Sequence, residues 1–212
     1  MKNKDIRKLR KSYNKYSLDD EISEYPFDLF DKWFRDAKSN KLIEEPNAMA
    51  LSTNGIDDYP RSRIVLLKEY SENGFVFFTN YNSIKGKSIS KSNKVCLTFF
   101  WSTLERQIII SGIAKKISSK NSDEYFNSRP IGSRIGAIVS PQSERIPSRD
   151  YLDNILKKNI SKKKKIIRPS HWGGYLVEPI TFEFWQGRKD RLHDRIEFVK
   201  NNNKWINYRL AP

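Results

Sequence analysis

The sequence predicts a mainly β chain with peripheral helices, of the α+β class, in which an antiparallel sheet forms a barrel. The predicted strands are short, tight turns separate them, and few segments have the length and periodicity of a helix. These features favour an antiparallel barrel over a parallel α/β sheet. With 212 residues, 37% hydrophobic and 13% aromatic, the chain can bury a substantial core despite its negative mean hydropathy.

The first half of the chain reads as one helix followed by a meander of strands. Residues 26 to 39 predict an amphipathic helix, because aromatic side chains recur there at steps of three and four. Strands are predicted at residues 47–53, 61–68, 74–80, 95–101 and 106–113. Turns at Asn54-Gly55 and Asn73-Gly74 separate the first three. The last strand carries Gln107 as a lone amide ahead of three isoleucines.

Three further segments predict helices. Residues 83–92 form a short helix capped by Ser83, whose Lys85 and Lys87 could hold a phosphate near the helix start. A helix capped by Ser122 runs to residue 128, and Pro130 and Gly132 break it before another short helix. Residues 150–160, capped by Ser148, predict the last helix. No Walker motif and no GxGxxG after a strand occurs, so nucleoside triphosphate and Rossmann sites are unsupported.

Tyr125, Arg129 and Ser133 follow one another at steps of four. If the helix continued they would share a face, although Pro130 leaves that continuation open. An arginine fork and two hydroxyls together could cradle a phosphate. The alternative is a solvated helix face.

Residues 168–195 carry an unusual density of aromatic, glycine and cationic residues. Two strands are predicted at 175–177 and 181–185, joined around Pro179, with a turn at 187–190 and a third strand near Leu192. On that strand Arg191, His193 and Arg195 would share one face and repel one another unless an anion lay among them. The alternative is a charged edge strand. Trp172 and Trp185 nearby favour a planar aromatic ligand.

Composition limits the other classes of function. The net charge of +15 makes nucleic-acid binding one function to consider, because cationic side chains neutralise phosphates. However, much of the excess positive charge is lysine mixed with asparagine and isoleucine, and the sequence has no signature of a nucleic-acid-binding fold. The one cysteine, Cys96, predicts a buried apolar side chain, and with His171 and His193 it is too little for a metal site. No signal-peptide core or membrane-length apolar run is present, so we expect a cytoplasmic protein that does not bind membranes.

Several motifs resemble the pyridoxamine 5'-phosphate oxidase family. WGGY, FEFWQG, RLHDR and the terminal RLAP resemble its C-terminal signature. RIVLLK, FFTN, LERQ, YFNSRPIGSRIGA and QS follow the family's order, so the resemblance covers about residues 7 to 212. It implies a split β-barrel that binds FMN between the subunits of a homodimer. It also implies that O₂ oxidises pyridoxamine and pyridoxine 5'-phosphates to pyridoxal 5'-phosphate, giving H₂O₂, and ammonia from the amine.

The resemblance also implies roles for individual residues. The FMN contacts it implies are Arg63, Lys68, Phe78, Thr79, Lys85, Gln107, Gln142, Ser143, Trp185 and Arg195. The substrate contacts it implies are Arg10, Tyr13, Lys68, Tyr125, Arg129, Ser133, Arg191 and His193, of which Arg191 and His193 are the catalytic pair. Residues 1–20 would form a mobile arm that closes as a lid, and residues 21–212 a single FMN-binding domain.

Some assignments stay open at this point. The family usually has a basic residue where Ile84 stands, so one phosphate contact is either missing or supplied by Lys87. Arg63 and Lys68 are an odd number of residues apart, so either Lys68 lies past the strand end or a bulge re-aims it. His193 beside arginines would be disfavoured as a cation, and could serve as a neutral hydrogen-bond partner, a weak base or a structural residue.

Two other functions are considered. One is a different flavin enzyme on the same barrel, such as a reductase with a nicotinamide donor. The other is a non-catalytic basic module that binds RNA or the vitamin.

Overall fold

The structure, a computed structural model, describes residues 7, 9, 11–18, 23–160 and 166–212. The helices of this part are α1 Pro26–Ser39, α2 Ile84–Lys91, α3 Ser119–Ser128, α4 Ile131–Val139 and α5 Arg149–Ile160. The strands are β1 Ala48–Asn54, β2 Pro60–Leu66, β3 Glu69–Ser71, β4 Gly74–Asn80, β5 Lys94–Trp101, β6 Arg106–Lys116, β7 Trp172–Gln186, β8 Asp194–Asn201 and β9 Lys204–Leu210. The predicted mainly β class with peripheral helices is confirmed.

The strands form one nine-stranded sheet in the order β2-β1-β5-β6-β7-β4-β3, with β8 paired to β7 and β9 paired to β8. Strand β7 pairs antiparallel with β4 through residues 172–177 and with β8 through residues 181–186. The chain divides into two compact units. The terminal unit comprises residues 1–46, 98–110 and 180–212, and the central unit comprises residues 47–97 and 111–179.

The core of the terminal unit is aromatic. Helix α1 buries Phe30 and Trp33, as its periodicity predicts, and these rings pack edge-on against Phe99 and Phe184 at centroid distances of 5.4 and 5.3 Å. Edge-to-face pairs of this kind add to the stabilisation that burial of the ring surface provides. Packed aromatic rings therefore form the core beneath the surface loops of this unit.

In the central unit the predicted bounds of β4 are confirmed at both ends. The strand begins at Gly74, whose φ of 133° and contact with the Val177 carbonyl leave no room for a side chain. The cap of α2 is also confirmed, because the Ser83 hydroxyl accepts a hydrogen bond from the Gly86 N–H at 3.3 Å. Ser148 likewise accepts from Tyr151 N–H at the start of α5.

The C-terminal stretch differs from its prediction. One strand of 15 residues, β7, replaces the two short strands around Pro179. Pro179 lies between the segment that pairs with β4 and the segment that pairs with β8, so its missing N–H interrupts neither of these two ladders. The third strand, β8, begins at Asp194 instead of near Leu192, and β9 was not predicted.

Other boundaries also differ. Helix α3 begins at residue 119 with Ser118 as its cap, instead of at Ser122. A five-residue loop, 55–59, replaces the tight turn predicted at Asn54-Gly55, and strand β3 was not predicted. Cys96 is half-buried instead of buried, because it lies on the face of β5 opposite the core residues. Within the described residues, no helix has the length and hydropathy needed to cross a bilayer.

Candidate active site

The central unit contains a cavity of about 460 Å³, here called the Arg129 cavity. Its lining residues are Ile64, Val65, Leu66, Lys68, Phe78, Thr79, Asn80, Lys85, Tyr125, Arg129, Pro130, Ser133, Gln142 and Trp172. Three of these side chains, Lys68, Lys85 and Arg129, are cationic, and none of these lining residues is a carboxylate. A cavity of this size and charge suits a small anionic ligand.

The break between α3 and α4 shapes one wall of this cavity. Arg129 is the C-cap of α3 and Pro130 is the N-cap of α4, so the continuous helix considered above does not form. Tyr125, Arg129 and Ser133 nevertheless line the same cavity. The predicted convergence of these three residues is therefore present, but the bend at Pro130 produces it.

Flat side chains form a second wall. The rings of Phe78 and Tyr125 stack at 3.9 Å, and Trp172 is nearly parallel to both, at interplanar angles of 16° and 5°. The Arg129 guanidinium carbon lies 4.6 Å from the centre of the Trp172 ring. Arg168 fixes this tryptophan, because its Nη1 donates to the Trp172 carbonyl at 2.6 Å while its Nε pairs with a carboxylate of α3. Arg168 therefore holds the Trp172 part of this wall in place.

One cation of the cavity has an unmatched hydrogen-bond donor among the described residues. Arg129 Nη1 is buried and has no hydrogen-bond partner in the described protein. Burial lowers the pKa of Arg129, and burial followed by the nearby charge of Arg63 lowers the pKa of Lys85. A buried donor without an acceptor costs about 1–3 kcal/mol. A phosphate group on a bound ligand would remove that cost, so the residues present fit a phosphorylated cofactor or substrate.

The structure settles where three basic residues lie. Strand β2 ends at Leu66, which confirms that Lys68 lies past the strand end. Arg63 donates through Nη1 to the Leu51 carbonyl at 3.0 Å and to Thr53 Oγ1 at 2.9 Å, and it does not line the cavity. Lys87 is exposed on α2 and is also outside the lining.

Two other predicted FMN residues follow α4 in the chain. Gln142 lines the Arg129 cavity, and its Oε1 lies 3.5 Å from the hydroxyl of Thr79 on β4. Ser143 is exposed and has a φ of 75°. The sequence motif QS therefore contributes one cavity residue and one strained turn residue.

The terminal unit has a separate cavity of about 590 Å³, here called the His193 cavity. Its lining residues are Leu9, Lys11, Ser12, Tyr13, Arg188, Asp190, Arg191 and His193. The single strand predicted through 191–195 is wrong, because Lys189–Arg191 is a 3₁₀ turn in which Asp190 and Arg191 have positive φ. Strand alternation therefore does not place Arg191 and His193 together; the turn does.

Arg195 is not part of a repelling cluster. Its Nε pairs with Glu183 at 2.9 Å and its Nη1 donates to the Ala211 carbonyl at 2.7 Å. The hydrogen bond with Glu183 raises the pKa of Arg195. An anion beside Arg195 is therefore present, but it is a carboxylate of the neighbouring strand, so the charge of Arg195 does not by itself require an anionic ligand.

His193 is held as a hydrogen-bond acceptor. Its Nδ1 accepts the Arg188 N–H at 3.0 Å, and its ring lies 4.6 Å from Trp185 and 5.9 Å from Tyr13. Burial lowers the pKa of His193, and the charge of Arg191 lowers it further, against a smaller opposing effect of Asp194. The imidazole is therefore neutral near pH 7, with Nε2 as the nitrogen that carries the proton.

Some predicted residues lie in neither cavity. Gln107 is half-buried on β6, Trp185 and Arg195 lie on β7 and β8, and Arg10 lies outside the described residues. Arg188 was not predicted, because a residue in a turn has no periodicity that could mark it. Among the described residues, no His, Cys, Asp and Glu side chains group in threes as a metal ion would require.

Comparisons with known proteins agree with this architecture. The family model described as pyridoxamine 5'-phosphate oxidase matches residues 36–155, and the pyridoxine 5'-phosphate oxidase C-terminal dimerisation region matches residues 172–212. The chain is 50% identical to the pyridoxine/pyridoxamine 5'-phosphate oxidase of Christiangramia forsetii, over 99% of each chain. It is 52% identical to that of Flavobacterium johnsoniae, over 98% of this chain and 99% of that one.

Solved structures confirm the split-barrel fold. PhzG from Burkholderia lata, in complex with tetrahydrophenazine-1-carboxylic acid, has a TM-score of 0.87 and 26% identity, covering 95% of this chain and 99% of its own. An FMN-binding, pyridoxamine 5'-phosphate oxidase-related protein from Nostoc punctiforme has a TM-score of 0.72 and 15% identity, covering 90% and 100%. From its sequence, this chain belongs to the pyridoxamine 5'-phosphate oxidase family, oxidoreductases of vitamin B6 metabolism.

Proposed function

We propose that this chain is an FMN-dependent oxidase that converts pyridoxamine 5'-phosphate and pyridoxine 5'-phosphate to pyridoxal 5'-phosphate. The observation that carries the proposal is the buried Nη1 of Arg129, which has no hydrogen-bond partner among the described residues, in a cavity lined by cations and a flat aromatic wall. A ligand that satisfies it must bring an anionic acceptor, and the flat wall suits a planar ring. Both B6 phosphates and FMN have these two features.

The cavity residues divide between the two proposed ligands. Lys68, Tyr125, Arg129 and Ser133 would bind the substrate phosphate, with the arginine giving a charged fork and the hydroxyls neutral donors. Phe78, Thr79, Lys85 and Gln142 would contact FMN, as would Arg63 and Ser143 outside the lining. The Nostoc punctiforme protein, described as FMN-binding, supports this choice of cofactor. FMN, when bound, accepts two electrons from the substrate and passes them to O₂, giving H₂O₂.

The other proposed contacts belong to the terminal unit. Gln107, Trp185 and Arg195 are the other proposed FMN contacts. FMN would lie between the subunits of a homodimer, and the match to a dimerisation region supports the homodimer. Arg191 would orient the pyridine ring and offset negative charge on it. His193, neutral and with its Nδ1 occupied by the Arg188 N–H, would present Nε2–H as a donor.

The atoms balance for both substrates. The alcohol and O₂ give the aldehyde and H₂O₂, while the amine, O₂ and water give the aldehyde, H₂O₂ and ammonia. Phosphate binding remote from the reacting C4' carbon supplies orientation, so dephosphorylated substrate should lose turnover as well as affinity.

The test combines a spectrum with a peroxide assay. We expect purified protein to show a visible flavin spectrum and to release H₂O₂ from pyridoxamine 5'-phosphate without any nicotinamide donor. Arg191→Leu should lower turnover while the flavin content stays at the wild-type level. Colourless protein that does not bind added FMN would refute the proposal.

A second candidate is another flavin enzyme on the same fold. The match to PhzG, with a TM-score of 0.87, favours considering it, since that protein was crystallised with tetrahydrophenazine-1-carboxylic acid, which carries no phosphate. A bound flavin with no peroxide from the B6 phosphates, but turnover with NAD(P)H or a carboxylated ring substrate, would support this candidate. The three cations of the Arg129 cavity favour the phosphorylated substrate instead.

A further inference from the structure

Part of the wall of the His193 cavity comes from an N-terminal segment whose described residues, 9 and 11–18, lie outside any helix or strand. Leu9, Lys11, Ser12 and Tyr13 line the cavity, and further along the segment Leu18 is fully buried. A segment outside any helix or strand has no ladder to hold it. Its position therefore depends on the individual contacts that its backbone makes with the rest of the terminal unit.

Glu105, in the turn between β5 and β6, makes two of these contacts. Its Oε2 accepts the Asn14 N–H at 2.9 Å and the Lys15 N–H at 3.1 Å. The Lys15 ammonium also donates to the Thr103 carbonyl of the same turn at 2.6 Å. Glu105 is only 7% exposed. A carboxylate that accepts two successive backbone N–H groups makes strong, charge-assisted hydrogen bonds.

The main chain of Glu105 binds Gln186 and Gly187, and Gly187 is the residue against which Tyr13 packs. The Glu105 carbonyl accepts the Gly187 N–H at 2.7 Å and Gln186 Nε2 at 3.1 Å. Gly187 lies directly beneath the Tyr13 ring, since a Cβ at this glycine would approach Tyr13 Cγ to 2.8 Å. Glu105 has a φ of 55°, an uncommon conformation for a residue other than glycine. One residue therefore anchors both Tyr13 and the backbone against which Tyr13 packs.

We propose that Glu105 is a positioning residue, which sets Tyr13 against Trp185 and His193 by holding the backbone of residues 14 and 15. The Tyr13 ring lies 5.7 Å from Trp185 and 5.9 Å from His193, and both distances depend on where that backbone is fixed. The anchoring itself is independent of the reaction. Only its kinetic consequence rests on the function proposed above.

Hydrogen exchange at the amides of Asn14 and Lys15 measures the anchoring directly, with or without flavin. In Glu105→Ala we expect exchange at both amides to become at least about tenfold faster, because the acceptor of both N–H groups is removed. Glu105→Gln should lie between this variant and wild type, since its amide oxygen can still accept. Glu178→Ala is the matched control, because Glu178 pairs with Lys115 at the surface and should leave these two amides unchanged.

Kinetics then test the link to Tyr13. With flavin content unchanged, Glu105→Ala should raise KM for pyridoxamine 5'-phosphate about tenfold, with a smaller change in kcat. If Glu105 acts through Tyr13, adding Glu105→Ala to Tyr13→Ala should change KM little further. If Glu105 only stabilised the fold, the effects of the two substitutions on KM would add, and Glu105→Ala would lower Tm without changing KM more than kcat.

Unchanged exchange at residues 14 and 15 in Glu105→Ala would overturn the proposal, and so would additive effects in the double variant. If Glu105→Ala does not fold, Glu105→Gln is the variant that tests the proposal. Wild-type exchange together with a wild-type KM in Glu105→Gln would contradict the proposal. Faster exchange in a protein that oxidises no B6 phosphate would refute the proposed function and leave the anchoring supported.

Discussion

Replacement of Arg129 by methionine should weaken substrate binding without weakening the fold. Methionine keeps most of the length and apolar surface of the side chain but removes the charge and all the donors. A phosphate in the Arg129 cavity would lose about two charge-assisted hydrogen bonds, each contributing roughly 1.5–3 kcal/mol. At the lower end this is about 3 kcal/mol, or roughly a hundredfold in affinity for pyridoxamine 5'-phosphate.

In the ligand-free protein, Arg129→Met should raise the free energy of unfolding or leave it nearly unchanged. The variant loses the contact between the guanidinium and the Trp172 ring, which is about 0.5–1 kcal/mol for a partly exposed pair. It also removes the buried Nη1 that has no partner in the described protein, whose cost is about 1–3 kcal/mol. Urea unfolding without ligand should therefore show Arg129→Met to be as stable as wild type or more so, by up to about 2 kcal/mol.

The assay compares KM and Kd for phosphorylated and dephosphorylated pyridoxamine at constant ionic strength. Arg129→Met should lose affinity for the phosphorylated form only. Arg134→Met is the matched control, since Arg134 also has a buried nitrogen with no partner in the part of the chain that the structure describes, but lines neither the Arg129 cavity nor the His193 cavity. Wild-type affinity in Arg129→Met, or an equal loss for both substrates, would refute the reasoning.

Four further predictions concern the terminal unit and helix α4. Folding lowers the pKa of His193 below 6.5, so as the pH falls the unfolded chain binds a proton before the folded chain does. Wild type should therefore lose stability relative to His193→Gln as the pH falls below 6.5, and parallel profiles of Tm against pH would contradict this. Arg106 is 2% exposed and bonded to a carboxylate and an amide, so Arg106→Met should cost about 3 kcal/mol in urea unfolding, and a loss below about 1 kcal/mol would count against it. Gly187→Ala should displace Tyr13 and raise KM severalfold, and an unchanged KM would refute the contact between Gly187 and Tyr13. Gly136 has open space around it in α4, so Gly136→Ala should raise the free energy of unfolding by about 0.5–1 kcal/mol.

Elements with local periodicity could be predicted from sequence. The apolar stripe of α1 depends on neighbours three and four residues away, and β4 is a short apolar run that follows the Asn73-Gly74 turn, so the bounds of both agree with the structure. Strand β9 was missed although a signal existed. Asn202 and Asn203 both have positive φ in the turn before it, and asparagine tolerates that conformation better than most residues.

Residues whose partners lie far along the chain could not be placed in this way. Pro179 predicted a break, but the change of partner strand from β4 to β8 at that point lets β7 continue. Arg195 was grouped with Arg191 and His193 by alternation, whereas Glu183, twelve residues earlier, pairs with it. Strand pairing is long-range, and no spacing in the sequence specifies it.

By itself the sequence determined the mainly β class, the cation-rich and aromatic composition of the site residues, and the family to which the motifs belong. Only the tertiary structure decided which of those cations lack a partner. Arg129 and Arg195 are the same residue type, but one has a buried nitrogen with no acceptor in the described protein and the other is matched by a carboxylate. The physical reason is that charge compensation depends on distance in space, and the fold alone sets those distances.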